Sequence, residues 1–168
     1  MSVTAVHKNP ADLTLTIVSE FKATQARVWE LWANPRQLER WWGPPMYPAT
    51  VTSHELRSGG HVAYHMTGPT GDQPHGYWEL KEVDPPSTLT FSDGFANPDG
   101  TPDRSIPPTT ITVTIEGIDE GRTRMSIVNK FPSREAMETM LKMGMEEGMT
   151  AAVGQIDALL DEAPQGSA

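Results

Sequence analysis

Proline limits this chain more than any other residue. The 15 prolines cut most of the sequence into runs of roughly six to ten residues, bounded by Pro, Gly and Asp, a length that suits strands rather than helices. The longest stretch without proline runs from Ser133 to Ala163. The chain is therefore predicted to form a sheet of short strands followed by one extended helix.

The runs alternate as half-buried strands do. Leu13, Leu15 and Ile17 alternate with threonines in a strand over Leu13–Phe21. Ala49–Leu56 leads through Ser58-Gly59-Gly60 into His61–Thr67, where Val62, Tyr64 and Met66 share one face. Gly76–Val83 places Trp78 and Leu80 on one side, and Thr88–Ser92 places Leu89 and Phe91 likewise. Asp93–Pro108 carries Gly and Pro throughout and is expected to be an irregular loop. Ile111, Val113 and Ile115 alternate with threonines, and Met125, Ile127, Asn129 and Phe131 share a face of Arg122–Phe131. This is an antiparallel meander with one apolar face.

Two short helices interrupt it early. Thr24 is a cap for Gln25–Ala33, and Asn34-Pro35 starts a second helix that stops at Gly43-Pro44-Pro45. Gln37 stands in capping-box spacing from Asn34. The last helix is predicted over about Arg134 to Leu160, capped by Ser133. At 100° per residue, Met137, Leu141, Gly144, Met145, Gly148, Ala152, Ile156 and Leu159 fall on its inner face, flanked by Met149. Met143 falls on the polar side. Each of the two glycines costs a helix about 1 kcal/mol relative to alanine. Either a closely approaching sheet or room for a ligand must compensate. Five of the nine methionines lie between Met137 and Met149, and flexible thioethers suit a wall of variable shape.

The 168 residues suit one domain. Residues 10–162 are assigned to it, with residues 1–9 and 163–168 as flexible ends. Without cysteine the chain has no disulfides, thiolate metal sites or cysteine nucleophiles. A net charge of -9 argues against nucleic-acid binding. Neither a signal peptide nor a membrane span is evident, so a cytoplasmic protein is expected.

Residues 13–45, LTLTIVSEFKATQARVWELWANPRQLERWWGPP, resemble the opening of the activator of heat-shock-protein ATPase homologue-like family, within the START-like (SRPBCC) superfamily. Phe21-Lys22-Ala23, Val28-Trp29, Asn34-Pro35 and Trp41-Trp42-Gly43-Pro44 carry the likeness. Glu55-Leu56-Arg57-Ser58-Gly59-Gly60 and Gly76 through Phe91 resemble later signatures. Ser19 stands where many members carry Arg, Thr24 where many carry Pro, and Met149 where Trp is usual. The resemblance implies an α+β helix-grip fold: a curved antiparallel sheet, two short helices after the first strand, and a long C-terminal helix across the concave face. It also implies a cavity for apolar small molecules or lipids, a pocket that Met149 would enlarge or soften.

Candidate chemistry is sparse. His61 and His65 share a strand face, but four residues along a strand separate them by about 13 Å, too far for one metal ion. His54 and His75 add no recognised spacing. Asp93 and Glu79 are the acids available for proton transfer, with no triad or phosphate loop beside them. No cofactor or metal is expected, and no catalytic residue is assigned.

The reading is a binding protein for a small apolar or amphipathic, lipid-like or aromatic molecule held between sheet and last helix. Its walls are Tyr64, Met66, Trp78, Phe91, Val113, Ile127, Gly144, Met145, Gly148 and Met149. Trp42 and Phe95 stand at the mouth, and Asn129 is a polar contact that either orients the ligand or bonds a neighbouring strand. Two alternatives stand beside it. One is an enzyme acting on a bound aromatic or polyketide-like ligand, which needs an ionisable group in the cavity with a shifted pKa. The other is a co-chaperone-type interaction module, which needs an exposed apolar patch.

Overall fold

The computed structural model describes residues 3–162. In chain order the elements are β1 (Val3–Asn9), β2 (Thr14–Phe21), α1 (Gln25–Ala33), α2 (Pro35–Trp41), β3 (Ala49–His54), β4 (His61–Met66), β5 (His75–Asp84), β6 (Thr88–Ala96), β7 (Thr109–Asp119), β8 (Arg122–Lys130), α3 (Arg134–Lys142), α4 (Met145–Val153) and α5 (Ile156–Asp161). The strands form one antiparallel sheet ordered β1-β2-β8-β7-β6-β5-β4-β3. From β3 to β8 each strand pairs with its sequence neighbour. The helices α1 and α2 carry the chain from β2 to the far edge at β3.

Local chemistry sets the ends of the early helices. Thr24 accepts a hydrogen bond from the Arg27 amide at 3.2 Å, and Asn34 accepts from the Arg36 amide at 2.9 Å, with Pro35 at the first helical position. Gln37 takes no part in a capping box. Its Oε1 accepts from Arg27 Nη1 at 2.7 Å, tying α2 to α1 instead.

The inner face of the sheet is apolar as the alternation requires. Leu89, Phe91, Ile111, Val113, Met125 and Ile127 are fully buried or nearly so. Trp32, Trp41, Trp42, Trp78 and Phe91 form an aromatic cluster over it, with Trp78 stacked on Phe91 at 4.0 Å between ring centres and Trp42 edge-on to Trp78 at 4.9 Å.

Three sequence expectations change. Residues 3–9 are not a flexible end but β1, paired along β2 with Val6 opposite Ile17 and Lys8 opposite Leu15. Its weak alternation hid it, while the otherwise open edge of β2 supplies the partner. Residues 163–168 lie outside the described residues. The stretch Asp93–Pro108 is not all loop: β6 runs on to Ala96, with Asp93 opposite Trp78 and Phe95 opposite Gly76. The long C-terminal helix is broken. Gly144 adopts φ +88°, a left-handed conformation that ends α3, and its amide bonds back to the Leu141 carbonyl at 3.1 Å. A tighter turn at Gly154-Gln155 separates α4 from α5, with the Gln155 amide on the Ala152 carbonyl at 3.1 Å.

Candidate functional site

The helical segments cover the concave face unevenly. Met137 at one end and Ala152, Val153, Ile156 and Leu159 at the other are buried. Between them Met140, Leu141, Gly144, Met145, Gly148 and Met149 are only half-buried. The described residues form two apolar clusters. Met140 and Met145 pack on the smaller, built on Leu15, Phe131 and Met137. Met66 and Met149 pack on the larger, which holds the tryptophans. All four methionines line a cavity of about 480 Å³, within the range of about 300–1,000 Å³ usual for small-molecule sites.

The two helix glycines do different work. A Cβ at Gly148 would meet nothing within 4 Å, so the sheet makes no close approach there. Gly148 borders open space. Gly144 also has open surroundings, but its positive φ is what the chain break needs.

The cavity contains a polar pair. Tyr64 on β4 donates its hydroxyl hydrogen to Asp93 Oδ1 on β6 at 2.7 Å, and both residues line the space. Burial pushes the Asp93 carboxyl up to about 7, with the Tyr64 hydroxyl and the Trp78 indole pulling the other way. Burial and the Asp93 charge push the Tyr64 hydroxyl well above its ordinary value. The indole N–H groups of Trp42 and Trp78 are buried without a hydrogen bond of good geometry. Trp42 nevertheless lies close enough to act on Tyr64, and Trp78 on Asp93, each favouring the charged form. A smaller space of about 80 Å³ adjoins the pair and is bounded also by His75, Pro107 and Thr109.

At the mouth, Tyr47 donates to Asp72 Oδ2 at 2.8 Å and Thr70 donates to Asp72 Oδ1 at 2.9 Å. The Tyr47 and Thr70 hydroxyls hold the Asp72 carboxyl below its ordinary value. Gln155 braces the opposite wall, its Nε2 donating to the Gly43 carbonyl at 2.7 Å and, more weakly, to the Trp41 carbonyl at 3.4 Å.

Of the residues expected around a ligand, Trp42, Tyr64, Met66, Phe95, Gly144, Met145, Gly148 and Met149 border the cavity. Trp78, Phe91, Val113 and Ile127 do not; at 0% exposure they form the packed layer beneath it. Asn129 is buried, with Nδ2 donating to the Leu15 carbonyl at 3.0 Å and lying 3.5 Å from Met149 Sδ. It bonds a neighbouring strand, and its Oδ1 has no partner among the described residues. Trp41 is fully buried, its Nε1 donating to the Leu31 carbonyl at 3.0 Å, yet also touches the cavity. Met143 is exposed, as its position on the polar side requires, and stands at the cavity edge.

The sequence reading missed Tyr47, Asp72, Pro74 and Met140 as lining residues and gave Asp93 no place in the wall. A signal for Asp93 was present: Leu89, Phe91, Asp93 and Phe95 continue one period-two series. The Asp93-Gly94 pair resembles a turn and masked it. His61 is exposed and pairs with Glu55 at 3.0 Å, while His65 lies against His75 at 5.3 Å between ring centres. Among the described residues no group of three or more His, Asp or Glu gathers as metal ligands would, and no helix is long and apolar enough to cross a membrane.

Comparison with known proteins places this geometry. A family model described as Activator of Hsp90 ATPase homolog 1-like protein matches residues 22–161. Among solved structures, the chain is similar to Protein Ms6760 from Mycobacterium smegmatis, with 47% identity over 94% of this chain and 97% of that one and a TM-score of 0.85. It is similar to a protein from Arthrobacter aurescens at 48% identity over 96% and 94% of the two chains, with a TM-score of 0.91. DynU16, described as a putative protein in the dynemicin biosynthetic locus, shares the fold at 20% identity and a TM-score of 0.60, over 86% of this chain and 47% of that one. No curated protein matches the sequence.

Proposed function

The chain belongs to the Activator of Hsp90 ATPase homolog 1-like protein family, and from that premise we propose that it binds a small, largely apolar molecule in the cavity beneath α3 and α4. The observation that carries the reading is the unfilled space beside Gly148, walled by methionines from two separate clusters. An apolar cleft of about 480 Å³ has the size of a usual small-molecule site. Thioether walls adapt to a guest without a large strain cost. The Tyr64–Asp93 pair gives the guest's polar atom a place to bind.

The test is to fill the space. Gly148→Leu sits in a helix at ordinary φ with nothing against its Cβ, so the variant should fold. Affinity for an apolar naphthalene probe, read by calorimetry, should weaken by tenfold or more, about 1.4 kcal/mol. Unchanged probe affinity in a folded variant would sink the reading.

One observation favours a second reading. Asp93 is an ionisable group in the cavity with its pKa near neutrality, the condition that proton transfer to a bound aromatic or polyketide-like substrate requires. Exchange of an activated α-proton of a bound ketone into heavy water, lost in Asp93→Asn, would support it. Identical exchange in wild type and variant would remove it. The co-chaperone reading has less to stand on: among the described residues the exposed large apolar side chains are only Met46, Ile106 and Met143.

A further inference from the structure

The charges of the cavity wall bear on what kind of molecule it holds. The ionisable residues lining it are Asp93, Asp72, Tyr64 and Tyr47; among the described residues no Lys, Arg or His lines it. Lys142 of α3 is exposed beside the cavity-lining Met143 and is not itself a lining residue. Two arginines are engaged elsewhere. Arg104 lies over the Tyr77 ring at 5.8 Å and pairs with Glu79 at 3.3 Å. Arg36 bonds the Val51 carbonyl at 2.8 Å and pairs with Glu39. An anionic guest, such as a fatty acid or a phosphorylated lipid, would meet the Asp72 carboxylate, and that of Asp93 whenever it is ionised, with no cation among the lining residues.

Asp93 itself is built to act as an acceptor. Its Oδ1 takes the Tyr64 hydrogen, and the Trp78 indole leans toward it. No hydrogen bond reaches Oδ2 from the described residues. Groups bordering the same space from other elements are His75 on β5, whose Nδ1 lies 2.8 Å from the Gln73 carbonyl, Thr109 on β7, and the uncharged Met140 and Met145 of the helices. None neutralises the carboxylate. Asp93 is half-buried, and a carboxylate partly withdrawn from water with no counter-ion among the described residues is disfavoured. A guest bearing a positive charge would remove that cost, and the aromatic faces of Trp42, Tyr64 and Phe95 suit a cation as well as an apolar body.

We propose that the molecule bound here is a small organic amine in its protonated form, with the ammonium on Asp93 and an aromatic-sized body against Trp42, Phe95 and the methionines. This rests on the ligand-binding reading above and adds the sign of the ligand's charge.

Three isosteric probes test it on the full chain by calorimetry: naphthylmethylamine, naphthylmethanol and naphthoate. The amine binds about tenfold or more tighter than the alcohol, as one charge-assisted hydrogen bond gives, and the naphthoate binds most weakly. Asp93→Asn brings amine and alcohol within about threefold of each other. Amine binding near neutral pH releases protons from Asp93, seen as a heat that varies with buffer ionisation enthalpy, and alcohol binding does not. These wild-type measurements stand even if the variant fails to fold. Alcohol or naphthoate binding as tightly as the amine overturns the proposal and leaves the cavity reading intact. A folded protein that binds none of the three loses both.

Discussion

Gly76 and Tyr64 are cross-strand partners on β5 and β4, and the phenol ring of Tyr64 occupies the space that any side chain at residue 76 would need. A Cβ there would overlap the ring and its hydroxyl, with Cε2 at 2.8 Å. The same arrangement recurs on the other face of the sheet, where Gly94 lies opposite Tyr77 and a Cβ would fall 2.6 Å from its ring. Glycine lets each ring lie flat across the neighbouring strand. For Tyr64 that path ends at Asp93.

Gly76→Ala therefore acts on the site from outside it. The ring must shift, and the hydrogen bond to Asp93 goes with it. We expect a loss of about 1–3 kcal/mol in urea unfolding and a carboxyl pKa for Asp93 above the present value of about 7, because the hydroxyl that lowers it has moved. An Asp93 titration by NMR that is unchanged in the variant would contradict the linkage.

Asp93 also makes stability depend on pH. Its folded pKa is raised, mainly by burial, to about 7 from the 3.8 ordinary for an aspartate. In that window the folded protein holds a proton that the unfolded chain has lost, so its contribution to stability falls as pH rises and levels off above the folded pKa. Asp93→Asn removes this term, while the other carboxylates act alike in both proteins. The stability of the variant relative to wild type should rise by on the order of 2 kcal/mol between about pH 5 and pH 8. Parallel stability curves across that range would show that Asp93 titrates normally.

Two glycines that look alike in the sequence should respond in opposite directions. Gly144 holds φ +88°, and alanine there would be strained by about 1–2 kcal/mol. Gly148 is helical with free space around its Cβ, and alanine there should stabilise by about 0.5–1 kcal/mol. Thermal unfolding of the two single variants reads the sign directly. The same sign for both would mean that the break between α3 and α4 is not held by Gly144.

Gln155 links the turn between α4 and α5 to the end of α2 through the carbonyls of Gly43 and Trp41. Gln155→Ala should cost about 1–2 kcal/mol and loosen the Trp41-Trp42-Gly43 corner. Faster amide exchange around Trp42, with β7 and β8 unchanged, is the expected pattern. Uniform acceleration across the sheet would point to global destabilisation alone.

Much of the architecture was legible in the chain because it follows from local rules. Proline spacing and period-two alternation marked the strands from β2 to β8, although not all their ends. Thr24, Asn34-Pro35 and Ser133 marked three helix starts, each capped as their chemistry predicts. The inward face of the last segment was also readable at helical spacing, from Met137 to Leu159. Gly144 could have been read as a stop, since it follows Lys142-Met143 as a C-terminal glycine often does, but the surrounding apolar period runs through it unbroken.

What the sequence alone determined, then, is which residues face inward. Tertiary structure decided which inward residues are packed and which border empty space. Trp78, Phe91, Val113 and Ile127 share the inward face with Tyr64 and Asp93, yet the first four are fully packed and the last two border the cavity. That difference depends on how far the helices stand off the sheet and on two apolar clusters that form separately. Periodicity reports direction along one element. Distance between elements is set by the summed volumes of side chains far apart in the chain, and no local pattern records it.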